Sequence, residues 1–83
     1  MISFCYFVMT PDTFKKIVKA VVEMKRPHLS SFDESRLNEI ARNYSVGRTD
    51  MDATIEGLEA IYKENNDIDR KDFAKMREHL ERN

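Results

Sequence analysis

The sequence has no tryptophan, one cysteine, two glycines and two prolines. A lone thiol, Cys5, cannot form an internal disulfide or supply a cysteine-based zinc or redox motif, which fits a reducing compartment, so a cytoplasmic location is expected. Gly47 and Gly57 stand apart, so no glycine-rich phosphate loop is present, and the scarcity of glycine and proline leaves no linker or low-complexity stretch. Neither sign of charge dominates. Fourteen Lys and Arg face fifteen Asp and Glu, a net charge of -1, and this removes the global positive field that a phosphate-neutralising binder needs. Nucleic acid is therefore not the expected partner. No apolar run approaches the roughly 20 residues of a membrane span. The longest, MISFCYFVM at 1–9, lacks the basic flank and small-residue cleavage site of a secretory signal and is read as an apolar tail, with no membrane partner expected.

What is present fits one small helical domain over 10–83. Eighty-three residues with 41% hydrophobic and 35% charged side chains make a modest core under a solvated shell, too small for a deep substrate-enclosing site. Thr10-Pro11-Asp12 signals a helix start, and Phe14, Ile17, Val18, Val21, Val22 and Met24 follow at helical spacing until Pro27 forbids continuation, which predicts a helix over about 11–25. Ser31 with Glu34 reads as a capping box before Leu37, Ile40, Ala41 and Tyr44, a helix over about 32–44. After Ser45-Val46-Gly47-Arg48, Thr49 is the expected cap of a third helix, about 50–63, carrying Met51, Ile55, Leu58, Ile61 and Tyr62. Asn65-Asn66-Asp67 is a polar turn. Asp69 then caps a fourth helix, about 70–82, with Ile68 and Phe73 as a hydrophobic staple and Met76 and Leu80 on its inner face. None of these helices is long enough to be stable alone, so all four stripes must share one core.

Each of the two longer connections places an apolar residue just before a helix, Phe32 in SSFDESRL and Ile68 in NDIDRKDF, and these residues are 36 positions apart. That arrangement, with Leu37 and Phe73 behind the loops, resembles the paired EF-hands of the calmodulin and myosin light chain superfamily over residues 14 to 80. The resemblance implies an all-α lobe built from two helix-loop-helix hands, about 11–44 and 49–82. It implies an antiparallel backbone pair between Phe32 and Ile68. It also implies an apolar groove walled by Val21, Met24, Leu37, Ile40, Ala41, Ile55, Leu58, Phe73 and Met76, which clasps a basic amphipathic helix such as the IQ motif of a myosin neck.

Calcium does not follow from the resemblance, because the ion takes about six to eight oxygens from fixed loop positions. The first loop offers Lys25, Pro27, Leu29, Ser31, Asp33 and Arg36 there, with cations at both ends. The second has Asn65, Asp67, Asp69 and Asp72, but Ile61 and Lys63 stand where the first ligands belong, and the loop is shorter by a residue or two. Those acidic residues read as a solvated turn and a helix cap. His28 and His79 lack metal-ligand spacing, so no metal or cofactor is expected. No nucleophile beside a base and no paired carboxylates in an apolar setting are seen, and no enzyme activity is expected. Two other readings remain open. Ile40 to Ile55 resembles a loose helix-turn-helix of a small DNA-binding regulator, although its second helix would present Asp50, Asp52, Glu56 and Glu59 to phosphate. The chain also fits a small helical inhibitor or assembly protein of viral or bacterial origin.

Overall fold

The computed structural model describes residues 9–63, 65 and 67–82, and among them it contains four α-helices and no strand. The helices are α1 (Pro11–Val21), α2 (Ser31–Ser45), α3 (Met51–Tyr62) and α4 (Arg70–Arg82), with a 3-10 turn at Glu23–Lys25. Of the expected tail at 1–9, residues 1–8 lie outside the described residues. Met9 is half-buried against the core. No helix among the described residues is long and apolar enough to cross a membrane.

Local chemistry explains each boundary. Thr10 accepts a hydrogen bond from the Thr13 N–H at 3.1 Å, and Pro11 occupies the first helical position, where its missing N–H costs nothing. The predicted run to residue 25 is broken. The α-helix ends at Val21, a 3-10 turn follows, and Arg26 takes a left-handed conformation with φ of 47°. Pro27 disfavours the right-handed helical region for Arg26, so no helical run can pass it.

Two caps differ from expectation by one residue. Ser30, rather than Ser31, accepts from the Asp33 N–H at 3.2 Å, and Glu34 reaches Lys19 instead of closing a capping box. Asp50, rather than Thr49, caps α3 by accepting from the Ala53 N–H at 2.8 Å. A carboxylate at that position also meets the positive end of the helix dipole, and the Thr49 hydroxyl pairs with Thr54 at 3.1 Å. Gly47 ends α2 as a Schellman motif. Its φ is +78°, its N–H donates to the Tyr44 carbonyl, and the Arg48 N–H donates to that of Asn43. The cap of α4 is as expected and reciprocal: the Asp72 N–H donates to Asp69 Oδ1 at 3.4 Å, and the Asp69 N–H donates to Asp72 Oδ2 at 3.1 Å.

Each helix packs on its neighbour in sequence, and α4 closes the ring by packing on α1. The core contains Phe14, Val18 and Val22 of the first segment, Leu37 and Ala41 of α2, Ile55, Leu58, Ile61 and Tyr62 of α3, and Phe73, Met76 and Leu80 of α4. Phe14 also stacks at a tilt on Tyr44, with ring centroids 5.3 Å apart. Two polar ties join α1 to α2, Lys15 Nζ to Asn38 Oδ1 at 2.7 Å and Lys19 Nζ to Glu34 Oε2 at 3.4 Å, while Arg77 of α4 pairs with Asp52 of α3.

Candidate functional site

The nine residues expected to wall a groove do not line an open one. Leu37, Ala41, Leu58 and Met76 are wholly buried, Ile55 and Phe73 are buried, and Val21 and Ile40 are half-buried against the same core. Only Met24 leaves this set, with 95% of its surface exposed on the 3-10 turn. The physical reason is that an uncovered apolar stripe is costly in water, and in a free four-helix chain the other three stripes are the nearest cover. Outside this core the acidic side chains of Glu23, Asp52, Glu56 and Glu59 are exposed, and Asp52 is held by Arg77.

Phe32 and Ile68 do not exchange backbone hydrogen bonds. Because Ser30 caps α2, Phe32 lies within the first helical turn, and its ring is 70% exposed with the Arg36 guanidinium 5.7 Å from its centroid. Ile68 is buried as one half of the α4 staple, and its N–H donates to the Asn65 carbonyl at 3.0 Å. The irregular connection at 26–30 ends before Phe32, which already belongs to the first turn of α2 and so has no extended backbone to offer Ile68.

The two candidate ion loops instead meet through a side chain. Lys25 Nζ, at the place of the first ligand in the first loop, donates to the Asp67 carbonyl at 2.5 Å and to Asp72 Oδ2 at 2.5 Å. The ammonium thus takes two oxygens of the second loop and fastens the end of the α1 segment to the start of α4. The Asp72 side chain is 9% exposed. Burial pushes its carboxyl up, but the hydrogen bond and charge of Lys25 and the Asp69 N–H outweigh this and hold it below the ordinary carboxylate range. The Lys25 ammonium is correspondingly held above its ordinary value, chiefly by its hydrogen bond to Asp72, with Asp69 and Asp67 adding to the effect. Nothing in the sequence pattern pairs these residues, since they are 47 positions apart.

The polar interior holds one further feature. Tyr62 is wholly buried, and neither its hydroxyl nor that of buried Ser45 has a hydrogen-bond partner among the described residues. Tyr62 lines a pocket of about 240 Å³ between the end of α1, the 26–29 connection and the start of α2. Helical spacing places Tyr62 on the inner stripe of α3, yet what its hydroxyl meets depends on the other three helices. On α3 the exposed carboxylates Asp52, Glu56 and Glu59 give the second helix of the helix-turn-helix reading a face that repels phosphate. No family model matches the chain, and neither the curated proteins nor the solved structures contain a match to it.

Proposed function

We propose that the chain is a calcium-independent protein-binding module, of the single-lobe light-chain type, that clasps a basic amphipathic helix. The observation that carries this reading is the composition of the interior. Leu37 and Ala41, Leu58, and Met76 come from three different helices and meet in one apolar core, with exposed Glu23, Glu56 and Glu59 on the outer surface. A lobe of that make-up can open around a helix whose apolar face replaces the lost contacts and whose cations meet the acidic rim. Methionine in the wall lets the surface adapt to the guest.

Opening has a definite cost. Exposing Leu37, Leu58 and Met76 at about 1.5–3 kcal/mol each sets a penalty of about 5–9 kcal/mol, which the partner's apolar residues must return by covering the same surface. The observed affinity is lowered by the small open population. Calcium is not needed as the trigger, because the Lys25 ammonium already engages oxygens of the second loop.

The test is a titration of isotope-labelled chain with a basic amphipathic helical peptide, once with calcium and once with chelator, read by amide and methyl shifts. The expected outcome is saturable binding with large shifts at Leu37, Leu58 and Met76, the same in both conditions. Shifts confined to the exposed carboxylates, or a requirement for calcium, would refute the reading.

A further inference from the structure

The pocket beside Tyr62 combines three properties that a mere surface dent lacks. Its apolar wall is formed by Val22, Pro27 and Leu29, and its volume of about 240 Å³ falls below the roughly 300–1,000 Å³ of drug-sized sites, so it suits a compact molecule. The charges around it cancel: Lys19 and Arg26 are balanced by Glu23 and Glu34, which gives no net attraction to an ionic ligand. Against it lies a wholly buried phenol whose hydroxyl has no partner among the described residues, in a protein interior where such groups are nearly always paired.

We infer that this pocket binds a compact neutral organic molecule with an apolar body and a carbonyl oxygen, the oxygen accepting a hydrogen bond from the Tyr62 hydroxyl. The hydroxyl is suited to be the donor. Burial, with Glu34 adding to it, pushes the Tyr62 phenol up to about 12, so it keeps its proton throughout the neutral range. The oxygen is covered in the free chain. Binding therefore requires side chains at the pocket to move, and the Lys19–Glu34 pair among its lining, a 3.4 Å contact between side chains 50% and 42% exposed, belongs to a class of ion pair that yields readily. This inference does not rest on the light-chain reading, because it concerns the closed chain without a helical partner, although the pocket shares Val22 and Tyr62 with the core.

Acetophenone is the probe, and ethylbenzene, nearly the same shape without the acceptor, is the control. In a nuclear magnetic resonance titration of the full chain, acetophenone is expected to shift Val22, Leu29 and Tyr62 saturably, and ethylbenzene to bind more weakly. Tyr62→Phe removes a buried hydroxyl with no partner, so this variant is expected to melt at a higher temperature than the parent while binding acetophenone roughly 3- to 10-fold more weakly. Leu29→Trp, in the half-buried connection, is expected to fill the pocket and abolish binding with the fold intact. The inference is overturned if ethylbenzene binds as well as acetophenone, or if Tyr62→Phe leaves the affinity unchanged. It is equally overturned if Tyr62→Phe lowers the melting temperature, which would mean that the hydroxyl is already satisfied, or if the Leu29→Trp chain still binds.

Discussion

Met76 and Met24 occupy the same expected groove in the sequence pattern but opposite environments in the fold, and truncating each to alanine separates interior from surface. Met76 is wholly buried among side chains of the four-helix core, so Met76→Ala removes its thioether from a packed site and leaves a cavity, at a cost of about 2–5 kcal/mol. A domain of this length has about 4–12 kcal/mol of stability in all. The loss is therefore a large share of the total, and at about 4–8 °C per kcal/mol it lowers the melting temperature by roughly 10 to 40 °C. Met24 is 95% exposed, and its removal changes stability by no more than about 0.5 kcal/mol. Thermal and urea unfolding followed by circular dichroism measures both. Equal shifts for the two variants would refute the interior described here. The contrast also bears on binding: a change in peptide affinity on Met24→Ala, expected to be a loss of about 1 kcal/mol or more if Met24 touches the clasped helix, can be read without correcting for unfolding. The same change on Met76→Ala cannot.

Asp72→Asn tests the tie to Lys25 through pH. Because the Asp72 carboxyl is held below its unfolded value near 3.8, the stability it contributes is present above that value and is lost as pH falls through the lower folded value. The parent should thus exceed the variant in urea resistance at neutral pH, and the gap should close in acid; a gap constant down to strongly acidic conditions contradicts the tie. Gly57 tests the contact of α2 with α3. A methyl group there would lie 2.9 Å from Ile40 Cδ1, the flexible end of a half-buried side chain, so Gly57→Ala should be nearly neutral in the parent, its helix-propensity gain of about 1 kcal/mol offset by displacing Ile40. With Ile40→Val, which removes Cδ1, the same change should stabilise by about 0.5–1 kcal/mol, and equal effects in both backgrounds would show that the helices do not approach as described.

The start and end signals were legible because they are local. Thr10-Pro11, Gly47 and Asp69 act on backbone groups within about four residues, and the structure uses each as its chemistry requires. The caps at Ser30 and Asp50 were misplaced by one residue because adjacent side chains could each supply the acceptor. The sequence overextends α1 because the 3-10 turn at Glu23–Lys25 and the left-handed Arg26 interrupt a segment whose apolar spacing still reads as helix.

The candidate groove was legible as a set of apolar positions and illegible as a surface. Periodicity states which side chains of one helix share a face; it carries no information on whether that face meets water, a partner or the chain's own helices. Leu37 and Met76 were therefore correctly placed on inner stripes, whereas Met24, on the same count, is exposed beyond the last turn of α1. Phe32 and Ile68 look equivalent by spacing, yet one lies on the outside of a helical turn and the other is buried, because a cap one residue upstream decides which residues remain extended.

By itself the sequence determined four amphipathic helices, the kind of residue that caps them and most of the apolar positions that enter the core, since these follow from side-chain type and spacing along one chain. Tertiary structure alone decided that the four stripes close on one another, that Lys25 reaches the oxygens of Asp67 and Asp72, and that the Tyr62 hydroxyl is buried beside a pocket without a partner. Those outcomes join residues far apart in the chain, and only the relative packing of the helices brings them within the few ångströms over which contacts and hydrogen bonds act.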